Sequence, residues 1–450
     1  MTKNLRSVQR PWWTLATVCV GGMMVGLDGT ALTIAGPDIA RSVGASMSEL
    51  QWIANAYLLA LAVALFPAGR LADRVGRRAT FLAGVLGFGL VSLLIAGAES
   101  GWQLVVLRAA QGLAGALLQP AALALLRGAF PRERLELALG VWGGSAAVSV
   151  AAGPIVAGFI VARFGWQAVF LINVPLSLLT AVLARVAVAE SRSAGGPGRL
   201  LELVRMRGVA LGAALTAGSY FSLFGLLFFL TLYLQNVRGL DPIGAGEWLL
   251  PVTAVVVLSA PLGGVLTGRF GPRWPAAAGL LLVAAGMLGF RGLAPDSSQL
   301  SVLPWALVLG LGTGIALIAA TQVIVAGAPV DMSGSASALQ QVATQLGGVL
   351  GIASLGVVMS WRVGASLPPE LSSTVDEVTQ GRGPAGELAH AAFMSGFRAT
   401  VLAAAIVALA AAVLALRIRG GASRSTPSVP EFAGPPHGPA DVDGQRGDQQ

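Results

Sequence analysis

Gly69-Arg70-Leu71-Ala72-Asp73-Arg74-Val75-Gly76-Arg77-Arg78 reappears 195 residues later as Gly264-Val265-Leu266-Thr267-Gly268-Arg269-Phe270-Gly271-Pro272-Arg273, with Gly, Leu, Arg, Gly and Arg in register. In both places the decapeptide separates two long uncharged runs. A charged, glycine-rich loop recurring at corresponding points of the chain marks a duplicated helical bundle.

The flanking runs decide the solvent. Of 450 residues, 55% are hydrophobic and only 11% charged, with a mean hydropathy of +0.75; soluble domains carry about 25% charged residues. Lipid therefore replaces water over most of the exterior, and a soluble enzyme is nearly excluded. The net charge of +8 does not point to nucleic acid, because the basic residues never form a dense stripe with interleaved aromatics. Cys19 alone excludes an intrachain disulfide framework, and His390 and His437 are too few and too scattered for a metal cluster. No phosphate-cradling loop of the form G-x-x-x-x-G-K-S/T occurs, so no cofactor is expected and a gradient must supply the energy.

A membrane-spanning helix needs about 20 mainly apolar residues, and counting uncharged runs gives twelve. They are Trp12 to Ala35, Leu50 to Gly69, Ala79 to Ala98, Trp102 to Leu126, Leu137 to Ala162, Trp166 to Ala187, Val209 to Gln235, Trp248 to Gly268, Trp274 to Phe290, Leu303 to Ala326, Ser335 to Ser360 and Ala392 to Leu416. The first follows Lys3, Arg6 and Arg10 as a signal peptide would, but it is too long for a signal h-region and is read as a span. Lys and Arg collect in cytoplasmic loops. With the N-terminus inside, 21 of the 29 basic residues are cytoplasmic, seven are external and Arg108 alone lies within a span. Both termini are then expected in the cytoplasm.

The spans divide into two six-helix bundles, 12–189 and 208–418, behind a short N-terminus, 1–11. They are joined by a polar cytoplasmic linker, 190–207, which ends in a short amphipathic piece from Leu200 to Met206. The last external loop, about Arg362 to His390, reads as a solvated cap. Residues 419–450 read as a disordered cytoplasmic tail. The fold class is an all-α membrane protein.

The form G-x-L-A-D-R-x-G-R-R between two spans resembles the major facilitator superfamily, which implies two bundles that rock about a central site. In that family this loop is a cytoplasmic gate, which assigns the role here to Gly69, Asp73, Arg74, Gly76, Arg77 and Arg78. Physically, the arginines alone would only anchor topology, whereas Asp73 allows a charge lattice that breaks when the halves move. Gly153-Pro154-Ile155-Val156-Ala157-Gly158 resembles the G-P-x-x-G-G antiporter motif of the export branches, with Ala157 departing from it. Gly153 and Gly158 permit close helix contact, and Pro154 removes a backbone donor. Leu27-Asp28-Gly29-Thr30, Leu50-Gln51-Trp52-Ile53-Ala54-Asn55-Ala56-Tyr57, Trp166 to Pro175 and Leu232-Tyr233-Leu234-Gln235 further resemble the drug:proton antiporter branch usually described with fourteen helices. The linker is too short for that branch's two extra helices.

Asp28 and Arg108 are the ionisable residues left inside the membrane, where an unpaired charge costs several kcal/mol. Asp28 lies nine residues before Pro37 and Arg108 six after Trp102, about 14 Å and about 9 Å deep at about 1.5 Å per residue. They can pair, either as a static ion pair or as a proton switch. The family resemblance implies proton coupling and cargo binding for both. An acid that meets a cation in one state and leaves it in another can release and rebind a proton each cycle.

The expected function is secondary active export of lipophilic or amphipathic small molecules, in exchange for protons, by a monomer. Its partners would be the cargo, protons and the bilayer, with no nucleic acid. Lys3 is the only lysine, a bias typical of GC-rich bacterial genomes, so the membrane would be a bacterial inner membrane. A proton-coupled symporter or facilitator for metabolite uptake would need a more polar cavity. A non-transporting membrane sensor would bind without turnover.

Overall fold

The computed structural model describes residues 11–192, 200–329, 332–382 and 386–418, and no strand occurs among them. The N-terminal helices are α1 (Pro11–Val43), α2 (Met47–Val75), α3 (Arg77–Ala96), α4 (Gly101–Ala129), α5 (Arg132–Phe164), and the collinear pair α6 (Trp166–Leu171) and α7 (Asn173–Ala187). A short α8 (Leu200–Arg205) precedes α9 (Arg207–Leu232), which ends in a π-helical turn, Tyr233–Val237. Then follow α10 (Pro242–Phe270), α11 (Arg273–Phe290), α12 (Gln299–Gly327), α13 (Ser333–Ser366), a small α14 (Val375–Thr379) and α15 (Glu387–Ala415). Twelve membrane-length apolar helices occur among the described residues, matching the twelve uncharged runs.

The helices overrun the runs that predicted them. At 33 residues, α1 is about 50 Å long, against a hydrocarbon core of about 30 Å. Charged residues end an apolar run but not a helix, so α2 continues through Asp73 to Val75. Trp12, Trp13 and Trp274 near one face and Trp102 and Trp361 near the other are exposed, the placement of aromatic belts at the two interfaces.

The duplication seen in sequence recurs in the backbone. Gly76 (φ 129°) ends α2 and opens α3, and Gly271 (φ 72°), 195 positions on, follows α10. Both φ values lie where a side chain is strained. The helix starts repeat as well: the side chains of Ser46 and Asp241, again 195 apart, cap α2 and α10 by accepting from the Glu49 and Gly244 N–H groups.

Within the N-terminal set, α2 packs on α4, α1 on α5 and α3 on α4. Within the C-terminal set, α11 packs on α12, α10 on α12 and α9 on α13. Between the sets, α5 lies along α10 and α2 along α13, and α1 touches α9. Every second long helix begins on the same face as Pro11, the first described residue, and α15 ends there. That side is called the terminal face, and the side carrying the Val43–Met47 elbow the distal face.

The segment expected to be a solvated cap is structured. After α13, Pro369–Thr374 forms a 3-10 turn that runs into α14, and Val378, Thr379 and Gln380 are fully buried. Around that stretch Pro369, Glu370, Ser372, Ser373, Asp376 and Glu377 are exposed, as a solvated cap would be, and only Val378 to Gln380 turn inward. The tail expected to be disordered, 419–450, and residues 193–199 of the linker lie outside the described residues.

Candidate functional site

Asp28 on α1 and Arg108 on α4 meet in the interior of the N-terminal set, with Arg108 Nη1 donating to Asp28 Oδ2 at 2.5 Å. Neither side chain is more than 1% exposed. Two buried charges survive in such a place only when their remaining hydrogen-bonding positions are filled. The sequence fills them from four helices. Asp28 Oδ1 accepts from Gln111 Nε2 at 3.0 Å and from Asn173 Nδ2 at 3.2 Å. Gln111 Oε1 accepts from Arg108 Nη1 at 2.6 Å. Ser92 Oγ accepts from both amides, at 2.8 Å and 3.3 Å, and Arg108 Nε reaches the Ile53 carbonyl at 3.4 Å. The guanidinium lies over the Tyr57 ring, 4.2 Å from its centroid, a contact that strengthens in a dry site.

The sequence identified the pair but not its cage. Tyr57 and Asn173 sit in stretches that carried the family resemblance, without a role. Gln111 is one helical turn after Arg108, the spacing at which side chains share a face. That spacing was the available signal.

The seam between the sets is built on small residues. A Cβ on Gly246 of α10 would come within 2.7 Å of the Pro154 carbonyl oxygen, and one on Gly158 would run into the Pro242 carbonyl. Thr253 Oγ1 adds a bond to the Ala151 carbonyl at 3.0 Å. Gly158 and Pro154 thus contact α10 of the other set. Gly153 instead faces Thr30 of α1 within its own set.

On the terminal face, Asp73 pairs with Arg77 one turn on, Nη2 to Oδ1 at 3.4 Å, while Arg77 Nη1 reaches the Ala124 carbonyl at 3.5 Å. Arg74 is exposed in the last turn of α2. Gly76 makes the tight turn, but a Cβ on Gly69 would meet only Pro120 at an ordinary 3.7 Å, so close approach is not the reason for that glycine. A second acid joins Asp73 among these arginines. The Glu190 carboxylate accepts the Arg78 and Ala79 N–H groups, each at 3.0 Å, and lies 3.9 Å from Arg78 Nε. It caps the start of α3 from more than 100 residues away. Glu49 is occupied as the N3 acid of the α2 capping box, holding the Ser46 N–H at 2.9 Å.

Twelve membrane-length helices in two similar sets, with an ion pair sealed inside one of them, define a duplicated multi-pass α-helical membrane protein. The chain belongs to the Major Facilitator Superfamily, whose family model matches residues 18–352. It is 38% identical to the tetracenomycin C resistance and export protein of Streptomyces glaucescens, over 91% of this chain and 92% of that one. It is 32% identical to the multidrug efflux pump LfrA of Mycolicibacterium smegmatis, over 91% and 96% of the two chains. The fold is also that of a bacterial homolog of the human lysosomal transporter Spinster, with a TM-score of 0.75 at 19% identity, covering 90% of this chain and 96% of that one.

Proposed function

We propose that this protein exports lipophilic or amphipathic small molecules, antibiotics among them, in exchange for protons by alternating access. The Asp28–Arg108 pair carries the reading, because ionisable residues inside a membrane bundle are expensive and mark the sites that a transport cycle uses. Relatives named for resistance and export supply the direction of transport. Asp28 would be the carboxylate that takes and releases the proton or meets the cargo, and Arg108 its modulator. Gly153, Pro154 and Gly158 would form the hinge seam of the antiport cycle, and Gly69, Asp73, Arg74, Gly76, Arg77 and Arg78 the inner gate.

In this reading residues 12–189 and 208–418 are the two rocking units and 190–207 the linker. The positive-inside rule puts the terminal face, with both termini, in the cytoplasm of a bacterium and makes the distal face external. The protein would act as a monomer in the inner membrane, without nucleic acid and without enzymatic chemistry.

The test is efflux in proteoliposomes under an imposed pH difference, with an antibiotic and a dye as cargoes. Accumulation against the gradient that collapses with the pH difference is expected. Cargo equilibration unaffected by pH would overturn the coupling, and binding without movement would favour a sensor. Exposed Ser373, replaced by Cys in a Cys19→Ser background, should react with an impermeant thiol reagent from outside intact cells. Reaction from the cytoplasmic side alone would invert the topology.

A further inference from the structure

The segment between α13 and α15 crosses to the other set through two charged side chains. The Asp376 carboxylate accepts the Met47 N–H, at 2.9 Å and 3.1 Å to its two oxygens, and Met47 is the first residue of α2. The Arg382 guanidinium donates to the carbonyls of Ala40, at 3.4 Å, and Ala45, at 3.2 Å, at the end of α1. Gln380 joins them: its amide donates to Asp376 Oδ2 at 2.8 Å, and its carbonyl oxygen accepts from Arg382.

Helix starts carry unpaired N–H groups and partial positive charge, and helix ends carry unpaired carbonyls and partial negative charge. An acid at the start of α2 and a base at the end of α1 therefore complement both poles of the α1–α2 elbow. Burial lowers the tendency of Arg382 to hold its proton, against the opposing pull of Asp376 and Glu377; its cost is met by bonds to main-chain oxygens. The segment is fastened to its own set by Asn236 Nδ2, which donates to the main-chain carbonyl of Gln380 at 2.7 Å. A third crossing runs from Gln235 Nε2, in the π turn of α9, to the Ile34 carbonyl at 2.8 Å. In all three crossings the C-terminal set supplies side chains and the N-terminal set supplies main-chain atoms.

Resting on the alternating-access reading above, we propose that Asp376, Gln380 and Arg382 form the outer latch of the transport cycle. They grip the two helix ends of the α1–α2 elbow, keep the outer mouth shut and release it when the mouth opens. Because the latch binds main chain, its strength is set by the residues at 376–382 and not by the side chains of the elbow.

The test reads conformation without cargo. Spin labels at Glu99→Cys and Gln299→Cys, exposed on the distal face in different sets, report the width of the mouth by pulsed electron resonance in a Cys19→Ser background. Asp376→Asn and Arg382→Ala should each raise the ratio of long to short distances about tenfold, the scale of losing charge-assisted bonds at a helix end. Arg382→Lys, which keeps the charge but not the fork spanning two carbonyls, should shift it less than Arg382→Ala. The exchange of Asp376→Arg with Arg382→Asp should leave the mouth open, since it puts the wrong sign at both helix ends. Unchanged distances in the monodisperse single variants would overturn the latch. So would restoration of the closed distribution by the exchange, which would mean that the two charges serve only each other. If wild-type protein fails to export while the distances respond as stated, the export reading falls and the latch stands. If export is intact and the distances do not respond, the latch alone falls.

Discussion

Gln111 donates its side-chain amide to Asp28 at 3.0 Å, while its carbonyl oxygen takes Arg108 at 2.6 Å. One neutral side chain thus serves both charges of the buried pair. If Asp28 takes up a proton, its attraction for Arg108 falls, and the Gln111 oxygen is already in place to keep the guanidinium from being stranded. An unpaired buried charge would be far more costly than an unpaired amide.

Gln111→Leu is expected to remove this bridge while keeping the volume of the site nearly constant. It leaves donors and acceptors unpaired in a dry core, at a cost of about 1–3 kcal/mol. The melting temperature should fall modestly, and proton release on adding cargo to detergent-solubilised protein should drop several-fold. Normal release would show that the amide merely fills space.

The two faces of α5 predict opposite tolerance. Gly158→Val pushes a side chain into the Pro242 carbonyl, whereas nothing lies within 4 Å of a Cβ at Gly143. Backbone cannot move aside cheaply, and overpacking costs about 1–3 kcal/mol. Gly158→Val should reduce efflux at least about fivefold if that cost falls on the transport cycle, while Gly143→Val stays near wild type. Equal effects of the two would mean that the α5–α10 seam does not bear on transport.

These positions differ in how visible they were. Asp28 and Arg108 stand out in any sequence reading because a charge in an apolar run is rare and expensive. Gln111, Ser92 and Asn173 do not, since neutral polar residues are common in membrane helices and only the fold reveals their convergence. Glu190 and Asp376 were hidden for another reason. Each acts on backbone N–H groups of a helix start more than 100 residues away, and main-chain partners leave no trace in side-chain patterns. The duplicated loops were legible because Gly76 and Gly271 meet a backbone requirement that few other residues satisfy.

At the terminal face, Glu190→Gln keeps the size of the cap but removes the charge that faces Arg78 and the start of α3. Loss of a helix cap costs about 0.5–2 kcal/mol. Efflux should fall with little change in expression, and Asp73→Asn should do the same by breaking the pair with Arg77. Unaltered efflux in both would return this loop to a signal for topology.

The decisive prediction separates a static ion pair from a switch. Removing one partner of a buried pair strands the other, at about 3–5 kcal/mol, whereas replacing both with apolar residues of similar volume is often neutral. Arg108→Met and Asp28→Leu should each destabilise strongly, and the double variant should recover most of the lost stability. If the pair were only structural, that double variant would also recover efflux. If Asp28 carries the proton, the double variant remains folded and inactive, and Asp28→Asn, which preserves the shape of the site, gives no proton release on cargo addition while retaining cargo binding. Purified variants would be compared by thermal unfolding, by pH-indicator measurement of proton release and by uptake into proteoliposomes under an imposed pH difference. Cargo concentrated against its gradient by Asp28→Asn would move the coupling elsewhere. Glu247, exposed on α10, would then be the next acid to test, because Glu49 is committed to the start of α2.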